Sequence, residues 1–214
     1  CRTLVDYGDY SESSELNAHL FKPTRQLQRS SSVIQSYYEP TDQIKVKDIN
    51  TSKVLYVPTM YQDNYLYGPF HGYSNQEYRR WQTALSESVP NLTIKNHPKS
   101  RSQFDLGVRE ENRRLEDCVN EYEIFIIDYL ATGAILSLFT GVPVIYFNIG
   151  LRRPSKSFCN DLEQRCLVVP VDLLSNLKDQ IMEGLFAYRS SSRTWSNIGL
   201  KKYSIPTQAT YRPI

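Results

Sequence analysis

Four short stretches of the 214-residue chain carry side chains suited to a phosphate-bearing ligand. His97-Pro98 sets an imidazole, able to donate to a phosphate oxygen or a base, beside a residue that fixes the direction in which the backbone leaves. Asp128-Tyr129 precedes Ala131-Thr132-Gly133, where a hydroxyl and a missing Cβ suit close approach of a phosphate to backbone N–H groups. Arg152-Arg153 offers two guanidinium forks able to neutralise a diphosphate. Thr59 and Asn148 add polar groups just beyond, and at the end of, two apolar runs. Each residue also has a plain structural reading. A His before Pro is commonly a turn residue, Asp128 can cap a helix rather than hold a sugar, and paired arginines can be a solvated loop. Glu163 is an acid that could accept from ligand hydroxyls, but a solvated helix face is the simpler reading.

These residues meet only if each follows a strand on one edge of a sheet. Glu123 to Gly150 reads as strand, turn, buried helix, turn, strand: Ile124–Ile127 and Val144–Phe147 are continuously apolar, as parallel strands covered on both faces are. The stretch from Ala131 to Phe139 is apolar nearly all round, and Gly141 is expected to end it as a left-handed C-cap. Ligands of such folds bind beyond the carboxyl ends of the strands, so Asp128 to Gly133 and Asn148 to Arg153 are expected to line one crevice.

Upstream, Val54–Val57 is a strand that Pro58 ends, and Thr59 opens a loop rich in tyrosine and glycine that runs through Tyr73. Tyr61, Tyr65, Tyr67, Phe70 and Tyr73 can stack on a base or sugar, or pin the loop to the core, and His71 is equally open. Ser74 to Glu77 is a capping box, followed by a helical stripe of Tyr78, Trp81, Leu85 and Val89. Asn91 to Asn96 returns as a strand, Lys99 to Arg114 reads as a charged loop, and Leu115 to Asn120 as a short helix. Beyond the central unit come a helix at Phe158 to Arg165 and a strand at Leu167 to Val169. Asp172 then reads as the N-cap of a helix carrying Leu174, Leu177, Ile181 and Leu185. The alternation predicts an α/β, Rossmann-like, doubly wound and mainly parallel sheet over residues 53–189. Residues 1–52 are expected to be irregular apart from a short strand at Ile44 to Val46. Residues 190–214 are a polar tail with Trp195, Leu200 and Tyr203 as anchors.

Twenty-five basic and 23 acidic residues leave a formal charge of +2, which gives no electrostatic footprint for nucleic acid. Four cysteines and three histidines are scattered without CxxC or HxxH spacing, against a zinc site and for reduced cysteines in the cytosol. No apolar run reaches the ~18 residues of a membrane span, and no signal peptide is visible. The chain starts at Cys1 rather than Met, so a preceding portion is expected.

The order of His97-Pro98, Asp128-Tyr129 with its small-residue turn, and Gly141-Val142-Pro143-Val144-Ile145 resembles the carboxy-terminal, nucleotide-binding half of GT-B glycosyltransferases. Within that fold it is most similar to CDP-glycerol glycerophosphotransferases of teichoic acid synthesis and to capsule polysaccharide transferases using CMP-linked sugars. Those families carry an HP motif, a D-Y-S-S or paired-serine turn and a K-P-V-I-like strand; here Thr132-Gly133 replaces the serines. The resemblance spans roughly Lys53 to Arg189. It implies that Thr59, His97, Pro98, Asp128, Thr132, Gly133, Asn148, Arg152 and Arg153 hold a nucleotide-linked donor of CDP, CMP or UDP type. The donor would be a substrate, with no metal and no further cofactor. The glycan acceptor and the general base would come from an amino-terminal domain across the cleft, so no catalytic residue is assigned here. A cytoplasmic site of action is implied, and peripheral contact with the membrane is allowed. A non-catalytic Rossmann-like binding or scaffold domain is the alternative; a nucleotide-sugar epimerase would need acids and a base that have no place in this sequence.

Overall fold

The computed structural model describes residues 38–59, 74–98, 100, 105–151 and 154–201, without the side chains of Asn75 and Thr132. Six strands, β1 (Val54–Val57), β2 (Leu92–Ile94), β3 (Arg109–Glu110), β4 (Ile124–Ile127), β5 (Val144–Asn148) and β6 (Leu167–Pro170), form one sheet in the order β3-β2-β1-β4-β5-β6. Every neighbouring pair is parallel, with Val54 opposite both Leu92 and Ile124 and Ile126 opposite Ile145. The fold is therefore α/β, Rossmann-like and doubly wound. The chain steps outward from β1 to β2 and β3, then returns to β4 on the other side of β1. That reversal leaves a crevice at the carboxyl ends of β1 and β4, where the connections diverge.

The helices are α1 (Asn75–Ser88), α2 (Leu115–Cys118), α3 (Thr132–Phe139), α4 (Lys156–Arg165) and α5 (Leu177–Ser190). Because side chains alternate along a strand, one set faces each layer. Tyr56, Ile126 and Phe147 pack with Trp81 and Leu85 of α1 and with Ile181 and Leu185 of α5. Leu55, Phe125 and Tyr146 pack with Ile135 and Phe139 of α3 and with Phe158 and Leu162 of α4. Both faces are covered, which is why the central strands contain almost no polar residue.

The expected capping box is present: the Glu77 N–H donates to Ser74 Oγ, and Glu77 Oε2 accepts from the Ser74 N–H at 2.6 Å. At the other end of a helix, the carbonyls closing α3 are met by a buried cation. The Arg165 guanidinium donates from Nε to Leu138 O and from Nη2 to Thr140 O and Val142 O at 2.9 and 2.8 Å. Burial lowers its pKa to about 10, so the charge persists at neutral pH against the negative end of the helix.

Four features differ from the sequence expectation. The charged stretch before Arg114 contains β3, a two-residue edge strand too short and polar to show periodicity. Gly141 is not a left-handed cap, since α3 ends at an extended Thr140; a Cβ on Gly141 would lie 2.9 Å from Thr41 Oγ1, so a larger residue there would have to displace the Thr41 side chain. Asp172 caps a turn, accepting from Leu174 N–H and Ser175 Oγ, while Asn176 is the N-cap of α5; Leu174 is accordingly 73 % exposed and off the buried stripe. The described parts of the flanking segments also belong to the core. Ile44 forms an antiparallel bridge with Trp195, both are buried, and Trp195 stacks on Tyr188 with centroids 6.0 Å apart. Leu200 is buried as an anchor against the α4 layer, whereas Tyr203 lies outside the described residues.

Gly184→Ala separates propensity from packing. Alanine favours a helix interior by about 1 kcal/mol, but the new Cβ would sit 2.9 Å from Phe147 Cε1 and 3.0 Å from Val169 Cγ1. The variant should lose about 1–3 kcal/mol of stability in urea unfolding; a gain would show that the α5–sheet interface yields easily.

Candidate functional site: a cleft at the ends of the central strands

A cleft of about 490 Å³ opens where the strand order reverses, walled by Thr59 after β1, by Lys95 to Pro98 after β2, and by Tyr129, Ala131 and Gly133 after β4. Its remaining side is α2, through Arg114, Leu115 and Glu116. The helix α3 begins at this cleft. Its N-cap, Ala131, has extended backbone and no side chain able to accept from the first N–H groups, so the N-cap residue leaves the positive end of the helix without a side-chain cap. Gly133 forms part of the wall, yet its missing Cβ has a packing cause as well: a methyl group there would meet Val57 Cγ1 at 2.9 Å.

The structure brings together Thr59, His97, Pro98 and Gly133 from the expected set. His97 and Pro98 are exposed at the rim, and the Ser100 N–H closes a turn onto His97 O at 2.8 Å. Thr132 opens α3 beside them. Arg152 and Arg153 lie outside the described residues, as do Tyr61, Tyr65, Tyr67, Phe70, His71 and Tyr73. Glu163 is exposed on α4, away from the cleft wall.

Two expected residues are turned elsewhere. Asp128 is 1 % exposed and does not line the cleft; nor does it cap α3. Its Oδ2 accepts from Tyr56 Oη, from Tyr78 Oη at 2.8 Å and from Trp81 Nε1 at 3.1 Å, and its Oδ1 accepts from the Thr59 N–H at 3.0 Å. Burial raises the Asp128 pKa, and burial together with the Asp128 charge raises those of Tyr56 and Tyr78, which keeps both phenols as donors. Asn148 is absorbed by its own turn, its Oδ1 accepting from Tyr146 Oη at 3.2 Å and from the N–H of Gly150, whose φ is +80°.

Tyr129 lines the wall as the reading of Asp128 to Gly133 expects, whereas Lys95, Asn96, Arg114, Leu115 and Glu116 are wall residues that the sequence reading did not single out. For Lys95 a signal existed: a cation directly after an apolar strand and two residues before His-Pro sits at a carboxyl strand end. For α2 there was none, because its place depends on a tertiary brace. Arg113 donates from Nε to Glu111 Oε1 and from Nη2 to both Glu111 Oε2 and Glu121 Oε2, and Tyr122 Oη donates to Glu111 at 3.0 Å. These bonds hold the link between β3 and α2 and so set the Arg114 side of the cleft.

The chain matches no protein-family model and no curated protein. Among the described residues no helix is long and apolar enough to cross a membrane.

Two tests follow from these networks. Asp128→Ala strands several buried donors and should lower stability by more than about 3 kcal/mol in denaturant titration; a loss below 1 kcal/mol would mean that the donors find other partners. Hydrogen bonds from Arg113 hold the Glu111 pKa down at about 2 from 4.5. A depressed carboxylate pKa stabilises the fold above its unfolded value, and that contribution disappears as pH falls through about 4.5 to about 2. Glu111→Gln should therefore flatten the acid limb of a stability–pH curve in that window; an unchanged limb would place acid sensitivity elsewhere.

Proposed function

We propose that this chain is the donor-nucleotide-binding domain of a transferase that moves a sugar or glycerol phosphate from a nucleotide carrier to a bacterial surface polysaccharide. The observation that supports this reading is the convergence at the switch point of one cleft, one helix N-terminus and the His97-Pro98 rim. A phosphate group in the cleft meets the N-terminal N–H groups of α3 and the cations Lys95 and Arg114. The apolar surface of Leu115, Tyr129 and Ala134 suits a base or ribose face. The reaction class is then substitution at the carbon or phosphorus of the donor, with the leaving phosphate stabilised by fixed dipoles and cations. The acceptor and general base come from another domain, in keeping with the GT-B arrangement that the motifs resemble. Such an enzyme works in the cytoplasm, and the reading allows peripheral contact with the inner face of the membrane.

A second reading, a Rossmann-like scaffold without donor binding, draws on Gly133. Contact with Val57 suffices to require glycine there, with no phosphate involved.

Thermal-shift and calorimetric titration of the chain with CMP, CDP, UDP, GDP and ADP separates the two. A ligand selective for the native state at 100 times its Kd stabilises by about 2.7 kcal/mol. The donor reading expects a selective response to a cytidine or uridine nucleotide. In His97→Ala that affinity should fall about tenfold, the value of one good hydrogen bond, with only a small change in melting temperature because the residue is exposed. Silence with all five nucleotides would favour the scaffold.

A further inference from the structure

We propose that Lys95 and the hydroxyl of Thr59 form a preorganised site for a phosphate group in the floor of the cleft. The inference rests on the nucleotide reading of that cleft and names the side chains that take the charge.

Lysine is seldom as enclosed as Lys95, which is 9 % exposed although it lies in a cleft wall. Its backbone N–H donates to Tyr56 O at 2.8 Å, extending the β1–β2 ladder by one residue and fixing its position at the strand end. Among the described residues its Nζ reaches one neutral acceptor, the carbonyl of Asn96 at 3.4 Å. The carboxylates on this edge are engaged elsewhere. Glu110 accepts from Asn96 Nδ2 at 2.8 Å, and Glu116 pairs with Arg114 Nε at 3.7 Å. Glu111 is held by Arg113 and Tyr122, and Asp128 by its ring of donors. Among the described residues no carboxylate pairs with this ammonium, and an anion in the cleft supplies the counter-charge.

Among the described residues the Thr59 hydroxyl has no hydrogen-bond partner. Thr59 is 5 % exposed, and its Oγ1 is buried with no hydrogen bond, although the Asp128 carboxylate pins the N–H of the same residue at 3.0 Å. A buried donor with no partner calls for an explanation, and a ligand oxygen at this wall of the cleft is the one the inference gives. Thr59, Lys95 and the start of α3 follow β1, β2 and β4, so a hydroxyl, a point charge and a helix dipole come from adjacent strand ends.

The test is calorimetry on the whole chain with inorganic pyrophosphate, CMP, CDP, UDP, cytidine and uridine, for wild type, Lys95→Met and Thr59→Val. Lys95→Met should weaken every phosphate-bearing probe at least tenfold while leaving the nucleosides unchanged, and Thr59→Val should do so severalfold. The melting temperature of ligand-free Lys95→Met should equal or exceed that of wild type, since an unneutralised buried charge is removed; a structural lysine would give the opposite sign. Lys95→Arg should retain most of the phosphate affinity. Undiminished nucleotide affinity in Lys95→Met would overturn the inference while leaving the nucleotide reading standing. Pyrophosphate binding that needs Lys95, without response to any nucleotide, would uphold the inference and remove that reading. No binding of any phosphate-bearing probe by wild type would overturn both.

Discussion

A single buried carboxylate ties together the parts of this fold that surround the cleft. Asp128 ends β4, and it receives donors from β1 through Tyr56, from the backbone of Thr59 just beyond β1, and from α1 through Tyr78 and Trp81. A carboxylate without these bonds could not be held at 1 % exposure, because desolvation disfavours its charge. With them it fixes the separation of β1 and β4 at the point where the sheet changes direction. The same bonds hold Thr59, and with it one wall of the cleft.

The cleft follows from topology combined with that anchor. A doubly wound sheet leaves a crevice wherever consecutive connections leave on opposite sides, here between β1 and β4. What this chain adds is the distribution of charge. Its acids near the crevice are spent on tyrosine, tryptophan, arginine and asparagine donors, whereas Lys95 and the start of α3 are left facing the space. Such an imbalance favours an anion even though the chain as a whole carries a formal charge of only +2.

The legible parts of the fold were those governed by local pattern. The apolar runs of β4 and β5, the Ser74 capping box and the Tyr78–Val89 stripe were all readable, because neighbours within four or five residues determine them. Asp128 was misplaced because its partners Tyr78 and Trp81 lie 50 and 47 positions away, and nothing in Ile-Asp-Tyr announces them. Gly141 looked like a cap because a glycine after a helix usually is one, but its actual constraint is Thr41, a contact only the folded chain creates. His97, Pro98, Thr59 and Gly133 lie at the cleft because the rule that places them is topological: each follows a parallel strand or opens the next helix. Arg114 and Glu116 arrive through the Glu111–Arg113–Glu121 brace, which no spacing rule encodes.

The measurement that bears most directly on the central claim, that the crevice between β1 and β4 is a phosphate-binding nucleotide site, is a titration of the isotopically labelled chain with CDP followed by amide NMR. The account predicts that the largest shift changes fall on the N–H groups of Thr59, Lys95, Gly133 and Ala134, which come from three separate strand ends around one cleft. Changes concentrated instead in the groove between α1 and the start of α5, near Arg80 and Lys178, or no changes at all at saturating ligand, would contradict it.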